Sequence, residues 1–189
     1  MTSAPISEQA FADRFRSAYP VLLSVALGMT GNRADAEDVV QDAAVIGFRK
    51  RDDFEEGSKF VAWMAAIVRN VGLNARRKRQ RREALPFDEA HDRGAETSPS
   101  PPADERTGEI HPGQEAFDDH VQEALLRLTP IARACLLLRT IHDLDYPTIA
   151  ETLDIPKNTA LSHVHRARQS MRKQLAGHDT HGHETGGHA

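Results

Sequence analysis

The chain has 189 residues, of which 39% are hydrophobic, 28% charged and only 5% aromatic. Any core must therefore be assembled from Leu, Val, Ile and Ala, a mixture that favours helices over sheets. No apolar run reaches the roughly 18 residues of a membrane span, Met1 to Glu8 lacks the basic-then-apolar pattern of a secretory signal, and the single cysteine, Cys135, excludes an internal disulfide. These features predict a soluble, cytoplasmic protein without membrane insertion.

The net charge of −4 conceals strong segregation. Six of the seven residues from Arg76 to Arg82 are basic. From Glu83 to Asp119 eleven acidic residues face two arginines, and from Pro156 to Leu175 there are five basic residues and no acid. Two basic blocks separated by an acidic one predict two polyanion-binding surfaces on different units.

The first stretch, residues 7–82, carries sustained helical periodicity. Phe11, Phe15, Tyr19, Leu22, Leu23, Ala26 and Leu27 recur at three- and four-residue steps, which predicts one buried helix face. Thr30-Gly31-Asn32 ends that helix, and Asn32 or Asp35 can cap the next. The second helix runs from about Ala34 to Arg49, with Ala36, Val39, Val40, Ala43 and Ile46 on its apolar side. Asp35, Asp38, Gln41 and Asp42 follow its other side. Acids in a first turn favour the helix dipole, which accounts for Asp35 to Asp38; Gln41 and Asp42 suit a docking face for a basic protein partner. A loop from Arg51 to Ser58 leads to a third helix, about Lys59 to Arg82, striped by Phe60, Met64, Ile67, Val68 and Val71. In it Phe60 reads as core, whereas Trp63, near Arg69 and Asn70, suits either the core or stacking on unpaired bases.

Residues 83–112 are rich in acid, proline and serine and too poor in apolar groups to offset the entropy of ordering, so they predict a flexible acidic linker. Residues 113–175 return to helix. Thr129-Pro130 predicts a helix start with a capping hydroxyl, followed by helices at about Ile131–Ile141, Tyr146–Leu153 and Asn158–Leu175. A short helix, a tight turn at Asp154-Ile155-Pro156 and a longer basic helix predict a helix-turn-helix. Ile149, Ala150, Leu153, Ile155, Val164 and Ala167 would pack it. Lys157, Asn158, Thr159, Ser162, His163 and Arg166 are left as donors for phosphates and base edges, with Arg168, Arg172 and Lys173 further along. Residues 176–189 form a His-rich tail expected to be disordered. Its His178, His181, His183 and His188 are irregularly spaced with no cysteine, so no metal is assigned. Cys135, among Ala134, Leu136 and Leu138, reads as a buried structural thiol. No phosphate loop, nucleophile triad or zinc-hydrolase motif is present. The expectation is a non-enzyme with no cofactor: an all-α protein of two small helical domains joined by a flexible acidic linker, the C-terminal one a helix-turn-helix.

Three strings in order make the pattern more specific. Met29-Thr-Gly-Asn-Arg-Ala-Asp-Ala-Glu-Asp-Val-Val-Gln-Asp42 resembles the core-polymerase-binding segment of the extracytoplasmic-function (ECF) sigma factors, in the sigma-70 family. Phe60-Val-Ala-Trp-Met-Ala-Ala-Ile-Val-Arg-Asn70 resembles their promoter-melting and −10-reading helix. Tyr146 to Pro156 with Leu161-Ser-His-Val-His-Arg-Ala-Arg168 resembles their −35-reading domain. The resemblance implies that 7–82 is a region 2-like domain and 113–175 a region 4-like domain. It places Asp35, Glu37, Asp38, Gln41 and Asp42 on core RNA polymerase. It places Phe54, Ser58, Lys59, Trp63, Arg69, Asn70, Arg76, Arg77 and Arg79 at the −10 promoter DNA, and Lys157, Asn158, Thr159, Ser162, His163 and Arg166 in the −35 major groove. It also implies an anti-sigma factor as a partner. The chain departs from the family pattern at Asn158-Thr159-Ala160, where Gly-Thr-Val is usual, and at Leu161-Ser162-His163, where a basic residue precedes Ser-Arg. Both departures bear on which −35 sequence is preferred. From the residues alone, a free-standing helix-turn-helix regulator and a metal-handling protein that uses the His-rich tail are the other readings.

Overall fold

A computed structural model describes residues 6–55, 57–84 and 112–176. Seven α-helices account for most of them: α1 (Glu8–Thr30), α2 (Arg33–Arg49), α3 (Phe60–Ala84), α4 (Pro112–Leu126), α5 (Pro130–Ile141), α6 (Tyr146–Leu153) and α7 (Lys157–Ala176). A single 3-10 turn, Arg51–Asp53, follows α2, and no strand occurs among the described residues. The linker expected at 83–112 and the tail expected at 176–189 lie almost wholly outside the described residues.

Local chemistry sets most boundaries. The Ser7 hydroxyl accepts from the Ala10 amide at 3.2 Å and starts α1. Gly31, at φ 87°, ends it by donating its N–H to Leu27 O, a left-handed closure that glycine adopts without steric penalty. Of the two caps foreseen for α2, Asn32 is the one: its side chain accepts from the Asp35 amide at 2.8 Å. Asp145 caps α6 by accepting from the Thr148 amide, and hydrogen bonding from the Thr148 hydroxyl first and its amide second holds the Asp145 carboxyl below the usual carboxylate range. Thr129 occupies the cap position of α5, but its hydroxyl makes no capping bond. There Pro130 does the work, since its missing N–H removes one of the donors a cap would satisfy.

The packing of α1 differs from the single stripe its periodicity suggests. Tyr19 is exposed, whereas Ser24, Val25 and Gly28 are buried beside Leu22, Ala26 and Met29. The reason is that α1 is covered on two sides: α2 and α3 on one, α5 on the other. On α2 the buried side is Ala36, Val39, Val40, Ala43 and Gly47, and Ile46 turns outward. A fully buried Leu or Val contributes about 1.5–3 kcal/mol, so Leu22, Val25, Val40, Val68, Leu138, Ile149 and Leu153 dominate the core.

That core is continuous between the two halves of the chain. Gly28 of α1 lies directly against Ala134 of α5; a Cβ on Gly28 would fall 2.5 Å from the Ala134 Cβ. Ser24 Oγ and His142 Nε2 are 2.8 Å apart across the same seam. The guanidinium of Arg133, only 5% exposed, donates to Gly28 O on α1 and to Leu125 O, Leu126 O and Leu128 O at the end of α4. Four carbonyl partners satisfy a charge that burial would otherwise penalise heavily, and that burial holds the Arg133 pKa below its usual value.

Candidate nucleic-acid and polymerase interface

Three groups of residues define the surface. On α2 the outward side carries Asp38, Gln41 and Asp42, all exposed. The other two acids expected with them are turned aside. Asp35 faces α3, where its carboxylate meets Arg79 at 2.9 Å and accepts from Asn32 Nδ2 at 2.6 Å. Glu37 lies on the opposite flank and pairs with Arg33 at 2.8 Å within its own helix. Below Asp38 and Asp42 the stripe turns apolar: Val45 is 52% exposed and Phe48 37%. These two line an open groove of about 670 Å³ with Phe11, Phe15, Tyr19 and Pro20, rimmed by Arg16 and Arg49. Val45 and Phe48 escaped the sequence reading. Their signal was the same three- and four-residue step that links Asp38, Gln41 and Asp42, continued one turn further.

The second group surrounds the start of α3. Phe54 is an interior side chain, packed edge-on against Phe60 with ring centroids 5.5 Å apart and against Trp63 at 5.3 Å. It shapes the loop and offers no surface to a base, a correction to its expected place among the DNA contacts. Phe60 is core, as its position on the stripe suggests, and Trp63 is half-buried on the two phenylalanines. Ser58 is exposed and its hydroxyl donates to Glu55 O at 2.7 Å, which fixes the loop. Ser58, Lys59 and Trp63 line a shallow depression with Asp53, Glu55, Ala62 and Glu151.

Two cations of this group are engaged by α6 and its following turn. Lys59 pairs with Glu151. Arg69 donates to Leu153 O and approaches the Asp154 carboxylate at 3.4 Å. Further along α3, Asn70 and Arg77 are exposed and Arg76 is half-buried. A mixed-charge depression between α2 and α3 gathers Asp35, Asp38 and Asp42 opposite Arg76, Lys78, Arg79 and Arg82. Acidic and basic surfaces assigned to different partners thus share one groove.

The third group is α7. Asp154, at φ 51° in the left-handed region, closes α6 by donating its N–H to Glu151 O, and the Ile155 N–H returns to Ala150 O. The three-residue turn ends at Pro156, whose carbonyl accepts from Thr159 and Ala160. Ala160, Val164 and Ala167 are buried, which leaves Lys157, Asn158, Ser162 and Arg166 exposed and Thr159 and His163 half-buried. Ser162 Oγ donates to Asn158 O at 2.8 Å, and Arg166 Nε donates to Ser162 O at 3.2 Å. Burial, reinforced by the Arg166 charge, holds the His163 imidazole below its ordinary pKa, so it is neutral at neutral pH. Cys135 is fully buried on α5 and burial pushes its thiol up to about 12, which removes it from redox or metal chemistry at neutral pH. No cluster of His, Cys, Asp and Glu suited to a metal ion occurs among the described residues. None of their helices is long and apolar enough to cross a membrane.

Comparison with known proteins gives two family matches in chain order: Sigma-70 region 2 over residues 14–82, and Sigma-70 region 4 over residues 119–171. Among curated proteins, the chain is 35% identical over 158 residues to the ECF RNA polymerase sigma factor SigE of Mycolicibacterium smegmatis. That match takes in 82% of the chain but only 58% of SigE. With the ECF RNA polymerase sigma factor SigW of Bacillus subtilis it shares 28% identity over 89% of the chain and 90% of SigW. The structure resembles the sigma factor RpoE of Bartonella quintana, solved in complex with the anti-sigma factor NepR (TM-score 0.62, 25% identity, 89% of this chain and 98% of that one). It also has the fold of CnrH, solved with the cytosolic domain of CnrY (TM-score 0.62, 19% identity, 90% of each chain).

Proposed function

This chain belongs to the sigma-70 family, in its ECF group, and on that premise we propose that it binds core RNA polymerase and directs initiation at promoters with −10 and −35 elements. The observation that supports this is the division of surfaces between the halves: an exposed acidic stripe on α2 in one, and a helix-turn-helix whose second helix carries no acid in the other. The units are residues 7–82 and 113–175, connected by the acidic segment between them.

Asp38, Gln41 and Asp42, continued by Val45 and Phe48, form the face that docks on polymerase. Acids set its orientation toward basic partner groups, and the apolar continuation supplies area to bury. Ser58, Lys59, Trp63, Arg69 and Asn70 border the opened −10 strand, with Arg76, Arg77 and Arg79 on its phosphates. Lys157, Asn158, Thr159, Ser162, His163 and Arg166 meet the −35 major groove. The protein works through binding energy: phosphate contacts supply affinity, and capture of unstacked bases offsets the cost of melting. Nucleotide chemistry stays with the polymerase.

In the arrangement described, Lys59 and Arg69 already have partners on α6 and its turn. Access of −10 DNA to these two cations requires α6 to withdraw. The closed form is a resting state, and docking on polymerase separates the units. An anti-sigma factor that holds the units together would act by prolonging that state.

The deciding experiment is run-off transcription with purified core enzyme and the full chain. Specific transcripts that need both components support the reading. Tight operator binding by the chain alone, with no effect of core enzyme, establishes a free-standing helix-turn-helix regulator instead.

A further inference from the structure

Leu161 stands out on α7. Apart from the terminal Ala176, the exposed residues of this helix are Lys, Asn, Ser, His, Arg or Gln, with this one exception. Leu161 is 46% exposed and lines a shallow depression with Ser162, His165 and Arg166. It lies in the second turn of the helix that follows the Asp154–Pro156 turn, the part of a helix-turn-helix that meets base edges. The buried side of α7 is fully provided by Ala160, Val164 and Ala167, so Leu161 is not needed there.

Duplex DNA offers one apolar group in its major groove, the C5-methyl of thymine. A leucine flanked by a hydroxyl, an imidazole and a guanidinium matches a thymine methyl set among polar base edges and phosphates. From the position and surroundings of Leu161 we propose that it reads a thymine in the −35 element by apolar contact with that methyl. The inference rests on the sigma-factor reading above and goes beyond it, by giving one base preference to one side chain. Ser162, held to Asn158 O, and Arg166, held to Ser162 O, keep the polar rim of the depression in place. Removing a buried methyl contact is worth a factor on the order of three- to fivefold.

The test uses the full chain with core enzyme and a pool of linear duplexes carrying a fully randomised promoter window. The pool is synthesised once with thymine and once with deoxyuridine, which lacks only the methyl, and the transcribed templates are sequenced. The expected result is a thymine preference at one position on the −35 side, which falls three- to fivefold in the deoxyuridine pool. Leu161→Ala should show the reduced preference in both pools while its −10 side preferences stay as in the parent. Equal methyl dependence of parent and Leu161→Ala, or a thymine preference untouched by loss of the methyl, overturns the assignment of Leu161 alone. If the parent with core enzyme enriches no sequence at all, the sigma-factor reading fails and this inference goes with it.

Discussion

Gly28 and Ala134 are in direct backbone-to-methyl contact, with 2.7 Å separating the position of a Gly28 Cβ from the Ala134 Cα. The sign of a Gly28→Ala substitution therefore reports whether the two halves are packed. In a free helix alanine is better than glycine by about 0.8–1 kcal/mol. Against Ala134 the added methyl forces overpacking, which costs about 1–3 kcal/mol. We expect Gly28→Ala to lower the melting temperature and enlarge the radius of gyration in solution scattering. A more stable variant of unchanged size would mean that the seam is open in solution.

Release of the two cations held by α6 should show directly. Glu151→Gln with Asp154→Asn removes both carboxylates, and asparagine tolerates the left-handed backbone at 154. Surface pairs contribute about 0.2–1 kcal/mol each, so the loss of two should raise affinity for a single-stranded −10 oligonucleotide, measured without core enzyme by fluorescence anisotropy, roughly two- to thirtyfold. Arg69→Ala should lower it. No change in the first variant would show that α6 does not compete with the strand.

The α2 stripe gives a separable outcome. Asp38→Arg with Asp42→Arg reverses charge at two exposed positions and should weaken association with core enzyme at least tenfold, an effect of about 1.4 kcal/mol or more. Duplex binding by α7 should be unaffected, and thermal stability should fall only slightly, from like-charge repulsion across the groove with Arg76, Lys78, Arg79 and Arg82. Val45→Asp should weaken core association as well, because it places a charge in the apolar part of the same face. Retained core binding in both would move the docking face off α2.

Arg77→Ala with Arg79→Ala removes two cations near the end of α3, one exposed and one paired with Asp35. Open-complex formation, followed by permanganate footprinting, should fall more than core binding does. If each arginine meets one strand phosphate, the salt dependence of strand binding should flatten by about 1.4 in log–log slope. Equal losses in melting and core association would count against the assignment.

Cys135 supplies a pH prediction. Its thiol titrates near 12 in the folded chain against 9.0 for an unperturbed thiol. The folded state keeps the proton longer, so this group's contribution to stability is fully present below about pH 9.0 and is lost as pH rises toward 12. Labelling by a thiol reagent at pH 8 should follow global unfolding in denaturant and be negligible before it. Fast labelling of the native chain would place Cys135 at the surface.

Much of this was legible in the residues. Asn32 and Gly31 mark helix ends by mechanisms that are local in sequence, and the structure uses both. The helix-turn-helix at Tyr146–Leu153 and Lys157–Ala176 lies within a residue or so of where periodicity puts it. What escaped depends on distant packing. Arg133 sits in the apolar run Ile131–Leu138, and nothing local says that its guanidinium will gather four carbonyls from α1 and the end of α4. Ser24 and Gly28 look like the polar or small side of an amphipathic helix until α5 and His142 after it cover them. Phe54, in a loop between charged residues, gives no sign that it will fill the interior beneath Phe60 and Trp63.

The Asp35–Arg79 pair ties two surfaces into one balance. On the proposed roles, a guanidinium that takes up a strand phosphate gives up its carboxylate, and the freed Asp35 then adds to the negative charge that Asp38 and Asp42 present on α2. Each event lowers the cost of the other, at a spot where α2 and α3 are only a side chain apart. Under the proposed function, grip on the enzyme and grip on the parted strand favour one another at this pair without any movement of the backbone.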